Sequence, residues 1–297
     1  MNTKIFFALL PFIGIIYSCV HEDLDKCKTA DVVVNVYVEK FGASTLSPED
    51  SEANFKTRIK KFRYFFYKDG VLQKQGIVSD FISSDSPYYI FSYSGLDPGD
   101  YRLIVIANCD DDVLSGDPSD IDKYLIVYPG VDKCGDYFAL NFPFTINCDC
   151  DMRYNAYLQR LHSVVNFSFS QIPSYLTALE ISLDNVGLNR FMRGDYNGHI
   201  SISKRIMLQE MTKKNIASNL LVGVYPTLPN EYATYKLKAF TDNADIPCFE
   251  AVIKDNLPLI RNQLLHINTS LNNDLDFTVT VDTRWDGSIN GGETDLN

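Results

Sequence analysis

The chain has 297 residues, with 27 Lys and Arg against 38 Asp and Glu and a net charge of −11. A chain of this length can bury a sizeable core in one or two domains. Its acidic balance argues against nucleic acid, whose binding rests on Lys and Arg neutralising phosphate, and against a basic patch that docks on anionic lipid heads.

At the N-terminus, Met1-Asn2-Thr3-Lys4 supplies one positive charge, and Ile5 to Tyr17 forms a 13-residue apolar run. That is the composition of a secretory signal peptide. The run is too short for a permanent helical span, which needs about 20 apolar residues. Ile16-Tyr17-Ser18-Cys19 resembles the bacterial lipobox, although Tyr17 is bulkier than that pattern usually carries. Removal of residues 1–18 and acylation of Cys19 as the mature N-terminus are therefore expected; an ordinary signal peptide with an incidental cysteine is the alternative. Several acyl chains, each contributing about 0.8 kcal/mol per buried methylene, make a long-lived anchor. Residues 19–30 then read as a spacer. Its cluster His21-Glu22-Asp23-Leu24-Asp25 resembles the surface-export signal of lipoproteins in Bacteroides-type bacteria, against the alternative of a plain acidic spacer. No other stretch is long and apolar enough to span a membrane.

Strand signals dominate the rest of the chain, in keeping with 18 Tyr and 19 Phe, residues that suit pleated, half-buried surfaces. Val32 to Val38 is a nearly continuous β-branched run. Ile59 to Tyr67 and Val71 to Val78 flank Asp69-Gly70, a strong hairpin mark. Tyr88 to Tyr93 is a strand, and the turn Leu96-Asp97-Pro98-Gly99-Asp100-Tyr101 feeds Leu103 to Ala107. Tyr124 to Tyr128 and Tyr137 to Ile146 come next. Val165, Phe167 and Phe169 alternate with polar neighbours, as do Leu179, Ile181 and Leu183. Further strands are expected at His199 to Ile206, Leu220 to Tyr225, Tyr232 to Thr241, Cys248 to Lys254, Gln263 to Leu271 and Leu275 to Val281. Such alternation buries one face and wets the other. Helix is expected only at Asp151 to Arg160 and Leu208 to Asn219. The fold class is all-β and sandwich-like rather than parallel α/β. The number of strands exceeds what one sandwich holds, so two units are expected, at 31–150 and 151–297, parted by the polar stretch Asn147 to Tyr154.

Little in the sequence points to catalysis. His21, His162, His199 and His266 are scattered outside any metal or nucleophile pattern, with His162 and His266 read as hydrogen-bonded strand histidines. No phosphate loop, zinc spacing or nucleophile elbow occurs. Asp110-Asp111-Asp112, Asp117, Asp120 and Asp122 match no calcium loop and read as a solvated acidic segment. Cys27, Cys109, Cys134, Cys148, Cys150 and Cys248 could pair in an exported chain or remain buried thiols. Cys148 and Cys150 are too close in sequence to bridge each other readily. Two thiolates there without a histidine make a poor metal site. No enzyme activity, cofactor or metal is expected. Exposed aromatics such as Tyr88 and Tyr89 could line a sugar platform, which makes a surface glycan-binding lipoprotein the rival reading from another class.

Several segments in order resemble the FimB-like anchor subunits of type V fimbriae (the FimB/Mfa group) in Bacteroides-type bacteria. They are the lipobox ending in Cys19 with Glu22-Asp23-Leu24 and Cys27, then Ile59 to Tyr67 before Asp69-Gly70, and Leu96 to Asn108. Arg160-Leu161 leading into Val164 to Phe169, Arg261-Asn262-Gln263 before Leu264 to Ile267, and Val281 to Trp285 complete the set. The resemblance implies two tandem transthyretin-like β-sandwich domains, lipid anchoring to the outer membrane, and a base to which fimbrial shaft pilin subunits attach. It implies no enzyme. The rival within the group is a shaft or tip pilin, which the resemblance implies is cut after an arginine and assembles by strand addition. Here the first arginine is Arg58, and a cut there would remove Val32 to Val38. The tail Asp286 to Asn297 lacks the alternating apolar residues of a donor strand. Both features favour an uncut anchor.

Overall fold

The computed structural model describes residues 29–42, 46–52, 54–79, 85–147, 151–208, 219–241, 245–271 and 277–282. The strands in its first part are β1 (Ala30–Val38), β2 (Phe62–Lys68), β3 (Val71–Val78), β4 (Tyr88–Leu96), β5 (Gly99–Ala107), β6 (Leu114–Ser115), β7 (Leu125–Val127), β8 (Phe138–Ile146) and β9 (Met152–Arg160). Then come β10 (Ser163–Ser170), β11 (Ala178–Phe191), β12 (Tyr196–Met207), β13 (Asn219–Val224), β14 (Ala233–Phe240), β15 (Phe249–Leu257), β16 (Leu264–Leu271) and β17 (Phe277–Asp282). The all-β expectation holds. Among the described residues no helix is long and apolar enough to cross a membrane.

Seven strands form one sheet in the order β3-β2-β5-β8-β9-β1-β4. It folds over at β8 and β9, which pair only through Phe138 with Arg160 and Ala139 with Gln159. The inner faces of its two arms close on one core: Val32, Val34, Val36 and Val38 of β1 meet Phe62 and Phe66 of β2 and Leu103 and Val105 of β5. The valines of β1 two apart share a face, which sets all four against this core. The hairpin between β2 and β3 turns through Asp69 (φ 49°) and Gly70 (φ 78°), the left-handed pair that matches strand twist in a two-residue loop. At the next turn the Tyr101 hydroxyl donates to the Asp97 carbonyl at 2.8 Å.

The rest of the chain builds a four-stranded sheet, β13-β10-β16-β17, and a second sheet ordered β15-β14-β11-β7-β6, with β12 also on β11. Their shared core takes in Val165 and Phe167 of β10 with Ile181 and Leu183 of β11. It also takes in Phe65, Tyr67, Ile104 and Ile106 from the outer face of β2 and β5. Between β5 and β8 the chain leaves the first sheet, and β7 pairs with the far end of β11 (Leu125 with Phe191, Ile126 with Arg190). The first sheet is thus apolar on both faces of β2 and β5.

The expected helix at Asp151 to Arg160 is a strand instead. Ala156, Leu158 and Arg160 are buried while Arg153 and Asn155 are exposed, a period of two. The slot beside β1, which β9 fills in parallel from Val32–Met152 to Val38–Leu158, overrides local preference. These residues come after the expected break near Asn147 to Tyr154, yet their ladder belongs to the first sheet. Most of the other expected helix, Leu208 to Asn219, lies outside the described residues, and its last residue opens β13. The ladder of β2 starts at Phe62 rather than at Ile59, although Ile59 itself has an extended backbone. Just before it, Phe55–Arg58 forms a single helical turn, α1, capped by the Asn54 side chain accepting from the Lys56 amide.

Candidate functional site

Where β1 and β9 end, the chain gathers six charged side chains around a junction between the two parts of the molecule. Glu39, one residue past β1, is 2% exposed. Its amide donates to the Leu158 carbonyl at 3.0 Å, which carries the β1–β9 pairing one step further. Its carboxylate accepts from the Arg160 amide at 3.1 Å and from Arg261 Nη1 at 2.9 and 2.6 Å. Glu39 and Arg261 are 222 positions apart, so this contact joins the first sheet to the loop before β16.

The Arg160 guanidinium lies between the Phe41 and Phe138 rings, 4.8 and 4.9 Å from their centroids. Its Nη1 is 2.8 Å from Asp136 Oδ1 and its Nη2 is 3.8 Å from Glu52. Arg58 approaches the same two acids, at 3.3 Å from Glu52 and 3.9 Å from Asp136. Three arginines thus face three carboxylates, and the cluster is balanced in charge. A buried pair of this kind contributes little net stability but is costly to break.

Two asparagines with left-handed backbones hold the frame, a conformation asparagine tolerates. Asn108 (φ 61°) donates from Nδ2 to the Arg58 and Asp136 carbonyls at 2.7 and 3.0 Å. It also accepts from the Lys60 amide at 2.8 Å. Asn262 (φ 56°) donates from Nδ2 to the Lys40 carbonyl at 3.0 Å, and its amide donates to the His162 carbonyl at 2.8 Å.

His162 sits in the connection between β9 and β10 rather than inside a strand, and it is buried. Neither of its ring nitrogens reaches a hydrogen-bond partner among the described residues. Burial, helped by the Arg160 charge, pushes its pKa down to about 3. Burial pushes Asp136 the other way, up, against the pull of Arg160 and Arg58. The consequences for stability have opposite signs. Below pH 6.5 the unfolded histidine takes a proton that the folded one refuses, so stability falls on acidification. Asp136 loses stability as pH rises from its unfolded value of 3.8 to its raised folded one. Lowering pH from 7 to 5 should therefore cost up to about 2 kcal/mol through His162. Urea unfolding at the two pH values checks this, and His162→Leu should remove the loss.

Other residues singled out in the sequence do not converge. His199 bonds Glu231 at 2.6 Å, and His266 bonds Asn166 at 3.1 Å. Asp110, Asp111 and Asp112 are exposed and meet Lys61, Arg63 and Lys133. Asp120 pairs with Lys123 at 2.6 Å, and no group of metal-ligating side chains forms among the described residues. Cys109 and Cys134 are buried free thiols, both pushed up by burial, and Cys248 is free and exposed. Cys19, Cys27, Cys148, Cys150, His21 and Trp285 lie outside the described residues. Tyr88 and Tyr89 face opposite sides of β4. Tyr89 packs inward, 4.8 Å from the Phe62 ring, and Tyr88 faces outward, 5.1 Å from Tyr37. Glu39 and Asp136 carried no sequence signal; each is an isolated acid beside a strand.

No family model matches the sequence, and no curated protein matches it. Solved structures share the fold. A candidate polysaccharide-binding protein from Bacteroides thetaiotaomicron aligns at TM-score 0.60 and 11% identity, over 88% of this chain and 99% of that one. The fimbrial anchor protein Mfa2 from Porphyromonas gingivalis aligns at 0.55 and 12%, over 87% and 98%. A candidate adhesin from Bacteroides ovatus aligns at 0.56 and 13%, over 89% and 96%. At these identities the likeness is one of fold.

Proposed function

We propose that the chain is a FimB-like anchor subunit of a type V fimbrium, built of two transthyretin-like halves and held in the outer membrane by an acylated Cys19. In this reading it is not an enzyme. It seats the base of the fimbrium, binds shaft pilin subunits, and limits fibre length.

The observation that carries the reading is the place of β1. This strand is paired on both edges, with β4 on one side and β9 on the other, and Glu39 ties its end to Arg160 and Arg261. A shaft or tip subunit would have to give that strand up after Arg58. Arg58 instead ends a helical turn, with its carbonyl and its guanidinium both engaged. A protease needs an extended, accessible segment, so an uncut, permanently closed subunit fits better than a polymerising one. The fold shared with a fimbrial anchor protein is consistent with this.

The test replaces Cys19 with Ala in the native cell and tracks the protein and its fimbriae by fractionation and electron microscopy. Shedding of intact, overlong fibres into the medium is the expected result. Cells that keep their fimbriae unchanged, or that carry none dependent on this protein, would remove the anchor reading. A cell-bound protein whose N-terminus begins after Arg58 would turn it into the polymerising one.

A further inference from the structure

The outer face of the β9-β1-β4 arm carries side chains that neither the core nor the junction uses. The register sets them in rows across the three strands. Tyr157, Tyr37 and Tyr88 form one row, with Tyr37 5.4 Å from Tyr157 in a stack and 5.1 Å from Tyr88 in a tilted contact. The next row is Asn155, Asn35 and Ile90, in which Asn35 Nδ2 donates to Asn155 Oδ1 at 3.1 Å. Beyond it lie Arg153, Val33 and Ser92.

The chemistry of this face narrows what it could hold. A protein partner needs an apolar centre of several hundred square ångströms, and here Ile90 at 52% exposure is the large exposed aliphatic among the rows. An anionic chain needs clustered cations, and the rows hold Arg153 alone. Apart from Arg153, what remains is an uncharged, amphipathic set. Phenol rings offer apolar surface with a polar tip. In the Asn35–Asn155 pair, Asn35 is only 9% exposed and holds its neighbour in place, while the exposed Asn155 keeps its Nδ2 donor without a partner among the described residues. A pyranose ring is complementary on both counts, since its C–H faces are apolar and its hydroxyls both donate and accept.

We propose that this tyrosine–asparagine face binds a neutral polysaccharide chain, with Tyr157, Tyr37 and Tyr88 supplying ring contacts and Asn155, oriented by Asn35, bonding a hydroxyl. The site does not depend on the anchor reading, because it needs only the folded first sheet.

Affinity electrophoresis of the full-length protein tests it, in gels containing a β-glucan, a galactomannan or starch, with polygalacturonate as the anionic control. At least one neutral polymer should retard the protein. Asn155→Ala and Tyr88→Ala should each weaken that retardation, with the loss of a ring contact costing about tenfold, while the thermal midpoint stays near wild type. Tyr232→Ala, exposed on a different part of the surface, should leave retardation unchanged. Retardation by none of the neutral polymers would overturn the proposal, as would retardation that survives both variants. Sedimentation of the same samples adds a further arm: self-association lost in Asn155→Ala and Tyr88→Ala, without polysaccharide binding, would make the face a contact between copies and overturn it too.

Discussion

Replacing Val34 with Asp is expected to abolish stable folding of the first sheet, whereas Val33→Asp one position away is expected to be nearly silent. Val34 is at 0% exposure, with Phe91 of β4 and Tyr154 of β9 as its Cα partners. Removing the valine forfeits about 1.5–3 kcal/mol of transfer free energy. An unpaired carboxylate in its place adds several kcal/mol more, or takes up a proton to avoid it. A combined loss of about 5 kcal/mol is a large share of the roughly 5–15 kcal/mol that holds a whole domain. Val33 points to the outer face and its partner on β9 is Arg153, so an aspartate there stays solvated beside a cation. Surface changes of that kind stay within about 0.5 kcal/mol. Urea unfolding of the two variants separates them, and a larger loss at 33 than at 34 would mean that β1 presents the opposite face to the core, as a slip of one residue would make it do.

The same period of two explains which parts of the molecule were legible in the sequence. In β1 the valines at 32, 34, 36 and 38 alternate without interruption, and the strand appears where that run lies. Asp69-Gly70 demanded positive φ at both positions, and the hairpin forms there. β9 was not legible. Tyr154 and Leu158 are four apart, which suits a helix as well as a strand, and its other inward positions are Met152, the small Ala156 and the charged Arg160. Only a waiting parallel partner decides between the two. Arrangements made by topology escaped for a related reason: nothing in Leu125-Ile126-Val127 says that it will pair with β11, beyond the sheet it left. The junction was half legible. Arg160 and Arg261-Asn262 stood out through a family resemblance, but Glu39 and Asp136 acquire meaning only when residues 222 positions apart are brought together.

Arg261→Met should destabilise the protein by about 3–5 kcal/mol, the cost of leaving one member of a buried ion pair alone. The loss should exceed that of Glu39→Leu. The asymmetry comes from burial: the Arg261 side chain is 30% exposed, whereas that of Glu39 is 2% exposed. Without Glu39, Arg261 can turn to solvent, and Arg160 keeps Asp136 at 2.8 Å. Without Arg261, the Glu39 carboxylate stays enclosed with the Arg160 amide as its remaining donor. The double variant should therefore recover much of what Arg261→Met loses, because no charge is left unpaired at that end of the cluster. A double-mutant cycle by urea unfolding measures the coupling, and additive losses would show that the two groups do not act as a pair. The cycle also bears on β1. Glu39 supplies the charged link between the end of that strand and the loop before β16, beside the Asn262 bond to the Lys40 carbonyl, so Arg261→Met should loosen the strand's C-terminal end before the rest of the sheet. Arg58, tied to Glu52 and Asp136 in the same cluster, should then become the first bond that an arginine-specific protease cuts. In the wild-type protein the intact cluster should hold that bond closed.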